Sequence, residues 1–114
     1  MKIEKSFELL NSEGPIIKIE KIQGNWHYKF NGSRQHHITT AREILSAIWN
    51  NAWIIDHTGK KTYQLGNYPI SMKGDDPKHY EEIVKYLVNE ETEKMRKDPN
   101  YLKNYLQNEN NVYI

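Results

Sequence analysis

The stretch IIKIEKIQGNWHYKF, residues 16–30, decides the fold because two alternating apolar segments flank a turn signal. The Gly-Asn pair at 24–25 tolerates the positive φ angles that tight hairpin turns require. A two-residue turn at this pair places Glu20 opposite Lys29, so that opposite charges meet across the strands. The stretch therefore predicts a β-hairpin.

The predicted register divides the hairpin into an apolar and a polar face. The apolar face consists of Ile17, Ile19, Trp26, Tyr28 and Phe30. The polar face consists of Lys18, Glu20, His27 and Lys29. An antiparallel sheet commonly buries one face and exposes the other, so most of these aromatic residues are expected to belong to the core.

The segment before the hairpin, residues 2–15, is predicted to be a short helix. Its apolar residues Ile3, Phe7 and Leu10 form one helical stripe, and the Gly-Pro pair at 14–15 ends the element.

A helix is also predicted to begin after Thr40, because Thr40 and Glu43 have the spacing of a capping box. The residues predicted to form its buried stripe are Ala41, Ile44, Leu45, Ile48 and Trp49. The asparagines at 50–51 end this helix.

A second hairpin follows, with strands AWIID (52–56) and KKTYQL (60–65). A turn at residues 58–59 places Asp56 opposite Lys61 and Ile54 opposite Tyr63.

The last third of the chain predicts a long helix with Asp76 as its cap and Pro77 at its first position. Beyond Asn89 the charged run EETEKMRK predicts that the helix leaves the core. The Asp-Pro pair at 98–99 then breaks it. We therefore expect a compact domain over 1–97 and a C-terminal helical extension over 98–114.

Together these elements predict an α+β fold in the order α-ββ-α-ββ-α-α, with an antiparallel sheet of about four strands and helices on one face.

Length and composition exclude several classes of protein. The chain has 114 residues, 37% of them hydrophobic, a net charge of +1 and no cysteine. Disulfide frameworks, thiol catalysis and cysteine-based metal sites are therefore excluded. The sequence contains neither a secretion signal nor an apolar run long enough to span a membrane, so a cytoplasmic location is expected. It contains no motif for a cofactor, and none is expected.

The histidines raise two further possibilities. The adjacent pair His36 and His37 would point to opposite sides of an extended chain, so no metal site is predicted. A small nuclease could be assembled from His27, His36, His37, Tyr28 and Glu43, although such sets also arise by chance. We expect no catalytic function.

Residues 38–66 run helix, strand, basic turn, strand, which resembles the closing half of a winged-helix domain. That resemblance implies a DNA- or RNA-binding regulator. Its contacts would be Arg34, His36, Arg42, Lys60 and Lys61. A winged helix also needs two helices ahead of the recognition helix, where this chain predicts a hairpin.

The C-terminal segment favours a different function, protein binding. Its aromatic and aliphatic residues are of the kind that anchor interfaces: Tyr101, Leu102, Tyr105, Leu106 and Tyr113. They could equally fold back onto the core or form a homodimer. The bias towards Lys, Asn, Ile and Tyr suggests an AT-rich genome. We therefore expect a non-catalytic protein-binding inhibitor encoded by a phage or mobile element. Its partner would be a larger protein or ribonucleoprotein in the host cytoplasm, such as a nucleic-acid-handling or defence enzyme, in the manner of an anti-CRISPR protein.

Overall fold

A five-stranded antiparallel sheet in the order β4-β3-β2-β1-β7 forms the centre of the fold, and β5 pairs with β6 in a separate small sheet. The computed structural model describes residues 3–55, 58, 61–71, 77–101 and 103. The strands are β1 (Ile3–Asn11), β2 (Gly14–Ile22), β3 (Asn25–Phe30), β4 (His37–Thr39), β5 (Ala52–Ile54), β6 (Thr62–Gln64) and β7 (Ile70–Ser71), and the helices are α1 (Ala41–Asn50) and α2 (Pro77–Lys97). The predicted α+β class is confirmed.

The hairpin of β2 and β3 has the predicted faces but a different turn. Gln23 and Gly24 occupy the turn with φ angles of 52° and 81°, while Asn25 already pairs with Ile22. The expected pairing of Glu20 with Lys29 is therefore wrong, because Glu20 lies opposite His27. Moving the turn by one residue shifts every pair by two positions, which leaves the side-chain faces unchanged.

The helix predicted at the N-terminus is wrong, since the segment forms β1 and pairs along β2. Phe7 and Leu9 are both buried in the core, and this alternate spacing is that of a strand. The pairing shifts register after Leu9, so that Leu10 lies opposite Pro15. Pairing with an amphipathic neighbour thus overrides a local spacing that also fits a helix.

Helix α1 begins at the predicted cap and ends at the predicted asparagines. The Thr40 hydroxyl accepts from the Glu43 amide at 3.2 Å, and Asn51 adopts the left-handed conformation with φ 52°. The Glu43 carboxylate does not follow the capping-box pattern, because it accepts from the Thr39 hydroxyl at 2.8 Å. Trp49 was expected in the buried stripe, but its side chain is 62% exposed.

The small sheet differs from its predicted register by one residue. Trp53 lies opposite Tyr63, and Ile54 lies opposite Thr62. Trp53 is consequently buried while Ile54 is 49% exposed. Among the described residues, the face of this hairpin that carries Trp53 therefore packs against the core.

Helix α2 starts at Pro77 and ends at Lys97, before the Asp-Pro break, as predicted. Its proposed cap Asp76 lies outside the described residues. The expectation that its charged second half leaves the core is wrong at Glu91, which is 5% exposed. Strand β7 was not predicted, and it pairs with β1.

The core lies on one face of the large sheet, where side chains of the central strands meet both helices. Its members include Phe7, Leu9, Ile17, Ile19 and Trp26 from the sheet and Ile44, Ile48, Ile83 and Leu87 from the helices. None of the helices described is sufficiently long and apolar to traverse a membrane.

Candidate binding surfaces

The candidate catalytic residues are divided between the two sides of the sheet. His27 pairs with Ile38 on one side, and His37 pairs with Tyr28 on the other. His36 is exposed in the segment that precedes β4. Among the residues described, no three His, Asp or Glu side chains approach closely enough to hold a metal ion. The nuclease set is thus not assembled as a whole.

Tyr28 and His37 of that set contact each other on the core side of the sheet, and the exposed Glu43 is close enough to act on Tyr28. The His37 ring stacks on Tyr28 with centroids 5.0 Å apart. Burial raises the pKa of Tyr28, and the Glu43 charge raises it further. The Tyr28 hydroxyl therefore stays protonated at neutral pH and is not a general base there.

His37 and Tyr28 begin a row of rings that we term the aromatic ladder, defined as His37, Tyr28, Phe30 and Tyr63. Tyr28 and Phe30 pack edge to face with ring centroids 5.8 Å apart. The ring centroids of Phe30 and Tyr63 are 4.8 Å apart. Trp53 supports the ladder from the small sheet, with its ring 4.7 Å from that of Tyr28. The ladder therefore joins β4, β3 and β6.

Exposed basic residues precede His37 and Tyr63, the two ends of the ladder, in the sequence. Arg34 and His36 are exposed in the segment that leads to His37, and Lys61 is exposed two residues before Tyr63. The backbone is held at both places. The Ser33 amide donates to the Phe30 carbonyl at 2.9 Å, and the Ile55 amide donates to the Lys61 carbonyl at 2.9 Å.

A second cluster, the carboxylate network, is centred on Glu90 and Glu91 of α2. Glu90 accepts from the Lys21 ammonium group, and its other oxygen accepts from Trp26 Nε1 at 2.7 Å. Lys94 Nζ lies 3.9 Å from Glu90 and 3.8 Å from Glu91. Glu90 thereby connects α2 to strands β2 and β3.

Glu91 connects α2 to α1 and to the start of the C-terminal segment. It accepts from Arg42 Nε at 3.1 Å and from the Tyr101 hydroxyl at 2.9 Å. The Arg42 guanidinium also lies 5.8 Å from the centre of the Tyr101 ring. Burial raises the pKa of Tyr101, and its hydrogen bond to Glu91 adds to that rise.

The network also changes the pKa of Lys21. Burial alone would lower it, but hydrogen bonds to Glu90 and Tyr86 and the Glu90 charge outweigh burial and raise the pKa. A buried carboxylate requires such partners, because an unpaired buried charge is strongly destabilising. The arrangement supports a structural role for the network.

Arg42 is the α1 residue that the winged-helix resemblance implies for contact with nucleic acid, but it is bound within the protein. Arg42 binds Glu91, and the exposed positions of α1 are Glu43, Ser46, Trp49 and Asn50. This exposed side carries no basic group with which to follow phosphates. Strands β1 to β4 also precede α1, in the place where a winged helix has two helices.

Exposed apolar residues lie where α1 ends and β5 begins. We term this segment, residues 49–55, the α1–β5 corner. Trp49, Ile54 and Ile55 are all exposed there. These exposed residues were not predicted from the sequence, because the helical period assigned Trp49 to the core. The register of the second hairpin is the signal that could have identified Ile54 as exposed.

The C-terminal contact residues are described only at their start. Tyr101 folds back onto Glu91 and Arg42, while Leu102, Tyr105, Leu106 and Tyr113 lie outside the described residues, as does Lys60. A role of Tyr101 in partner binding stays a prediction.

Compared with models of known protein families, with curated proteins and with solved structures, the chain matches none of them.

Proposed function

We propose that this protein is a non-catalytic binding protein that occupies a surface on a larger protein or ribonucleoprotein partner. The observation that carries the proposal is Trp49, whose side chain is 62% exposed although the other large apolar residues of α1 are buried. An exposed tryptophan leaves a large apolar area in water, and burying it against a partner stabilises a complex.

The surroundings of Trp49 support this assignment. Asn51 ends α1 in the left-handed conformation, β5 begins at the next residue, and Ile54 and Ile55 are exposed. Tryptophan is among the residues enriched where interfaces gain most of their binding free energy, with less critical apolar contacts around it. The α1–β5 corner contains an exposed tryptophan and two further exposed apolar residues, Ile54 and Ile55, within seven positions of the chain.

The polar side chains support a binding role over a catalytic one. Glu90 and Glu91 are engaged by cations and hydroxyl or indole donors of their own chain, and Glu43 accepts from Thr39. A general acid or base has to reach a substrate, and these carboxylates are already used to join elements of the fold.

The class of partner is proposed from composition. A chain rich in Lys, Asn, Ile and Tyr, small and without cysteine, is typical of accessory proteins of phages or mobile elements with AT-rich genomes. Such proteins act in the host cytoplasm, and we propose a host defence or nucleic-acid-handling enzyme as the target, as for an anti-CRISPR inhibitor.

The test is a capture experiment with three versions of the tagged full-length chain: wild type, Trp49→Ala and Tyr68→Ala. Tyr68 is the matched control, since it is an exposed aromatic residue in a different segment. A specific host protein identified by mass spectrometry should be retained by wild type and Tyr68→Ala and lost by Trp49→Ala. Capture that is equal for all three variants, or no specific capture, would overturn the proposal.

A further inference from the structure

We infer that the aromatic ladder binds single-stranded nucleic acid. The ladder shares the small sheet with the α1–β5 corner, since Trp53 packs on Tyr28 and the Ile55 amide donates to the Lys61 carbonyl, but its ligand contacts do not include Trp49. Binding of nucleic acid goes beyond the proposed protein-binding function. Its ligand would be a short stretch of single-stranded DNA or RNA, held by base stacking and by contacts to phosphate.

The rings of the ladder pack in pairs. His37 stacks on Tyr28 with an angle of 25° between their planes, and Tyr63 contacts Phe30 in a tilted arrangement with an angle of 36°. His37 and Tyr63 are thus each backed by a ring of β3, which restricts their motion. His37 is half-buried, whereas Tyr63 is 40% exposed. The supported and exposed Tyr63 ring is therefore a platform on which a base can stack, whatever the sequence of the strand.

Charge also favours nucleic acid at this site. The segments that carry His37 and Tyr63, residues 31–40 and 61–66, contain Arg34, His36, His37 and Lys61 but no Asp or Glu. Arg34, His36 and Lys61 are all exposed. Glu43 lies close enough to act on Tyr28, but its carboxylate is bonded to Thr39. Exposed cations within three residues of His37 and two residues of Tyr63 along the chain complement the phosphates of a strand whose bases stack on a ring.

The exposed groups favour a single strand over a duplex. A duplex hides its base faces in its own stack and is read by an element placed in a groove. Helix α1 is unsuited to that use, because its exposed side carries Glu43 and Trp49 and because Arg42 is bound to Glu91. A single strand presents free base faces, which are the groups that the ladder can accept.

The probe is a fluorescein-labelled oligothymidylate of about twelve nucleotides, a length within the usual range for small single-strand sites. Binding is followed by fluorescence anisotropy, with the corresponding oligouridylate and a duplex of equal length in parallel. We expect the single strands to bind more tightly than the duplex. We also expect the dissociation constant to rise with salt, because phosphate contacts release counterions.

Four variants assign the binding to the ladder. Tyr63→Ala should weaken binding by about ten-fold, the scale of one lost stacking contact, whereas Tyr63→Phe keeps the ring and should bind like wild type. Arg34→Gln should weaken binding and reduce its salt dependence. Tyr68→Ala, with an unrelated exposed aromatic residue removed, should have no effect.

Melting curves of all variants show whether each is folded. If Tyr63→Ala does not fold, Arg34→Gln still tests the inference. Three results would overturn it: no binding of either oligonucleotide, equal binding of the duplex, or binding that neither Tyr63→Ala nor Arg34→Gln weakens. Trp49→Ala should leave oligonucleotide binding unchanged, so failure of this inference is distinct from failure of the proposed protein-binding function.

Discussion

At the scale of single residues, Trp26 shows how one side chain joins the sheet to α2. It is 2% exposed, meets Phe7 and Tyr86 edge to face and donates to Glu90 through its indole nitrogen. Its ring therefore contributes apolar burial, while its polar atom satisfies a carboxylate that the helix brings towards the core.

We predict that Trp26→Ala lowers the free energy of unfolding by roughly 3–5 kcal/mol, the usual cost of removing a buried aromatic ring. Trp49→Ala is the matched control, and the loss should be far smaller because Trp49 is mostly in water. Urea denaturation of both variants provides the measurement. Equal losses would show that the burial assigned to these two residues is wrong.

The ion pair of Lys21 with Glu90 leads to a prediction that depends on pH. The raised pKa of Lys21 means that the folded state holds this proton more tightly than the unfolded state. The stabilisation is therefore complete below the ordinary lysine pKa of about 10.4 and is lost as pH rises through the higher folded value. Lys21→Met should cost about 2 kcal/mol at neutral pH, less than for a fully buried pair because both partners are partly exposed.

The difference between wild type and Lys21→Met should shrink above the folded-state pKa, since Lys21 is then neutral in the wild type as well. Urea midpoints measured from neutral to strongly alkaline pH test this. Lys85→Met is the control, because Lys85 is exposed on the same helix that carries Glu90. A Lys21→Met difference that stays constant over the whole pH range would contradict the assignment.

At the scale of elements, the cap of α1 leads to a third prediction. Thr40→Ala removes the hydroxyl that accepts from the Glu43 amide and should cost about 1 kcal/mol. Thr92→Ala is the same substitution within α2, where the hydroxyl donates to the Val88 carbonyl and serves no cap. It should change the free energy of unfolding much less. The two urea midpoints decide, and a similar loss in both variants would refute the cap.

The same scale shows what local sequence can and cannot predict. The faces of β2 and β3 follow from the alternation of apolar and polar residues with a period of two. They are as predicted although the turn lies one residue away from its predicted position. The helix α1 follows from its cap. The prediction for the N-terminal segment was wrong because the spacing of Ile3, Phe7 and Leu10 also fits a helix. Pairing with β2 determines that the segment is a strand.

The carboxylate network was not predictable from a local pattern. Glu90 and Glu91 belong to a run of alternating charges, which is typical of an exposed helix. Their partners Lys21, Trp26 and Arg42 lie 49 to 69 residues away in the chain. The α1–β5 corner was missed for a related reason, since the period of α1 does not specify where its apolar stripe ends.

For the molecule as a whole, the described start of the C-terminal segment folds back, because Tyr101 contacts Glu91 and Arg42. Tyr101 donates one of the hydrogen bonds that Glu91 accepts. Removal of Tyr101 leaves Arg42 and Lys94 as partners of Glu91. A chain that ends at Lys97 should therefore stay folded, with a moderately lower melting temperature in circular dichroism. Tyr101→Phe should reproduce part of that decrease. A truncated chain without a cooperative transition would show that residues 98–114 belong to the core.

We propose that Trp49 serves a partner and not the fold. The most direct measurement is a calorimetric titration of the captured partner into wild type and Trp49→Ala, with melting curves of both. We predict that Trp49→Ala weakens binding by about thirty-fold or more, the scale of an interface residue worth 2 kcal/mol, at an unchanged melting temperature. An unchanged dissociation constant in a folded Trp49→Ala chain would contradict the claim.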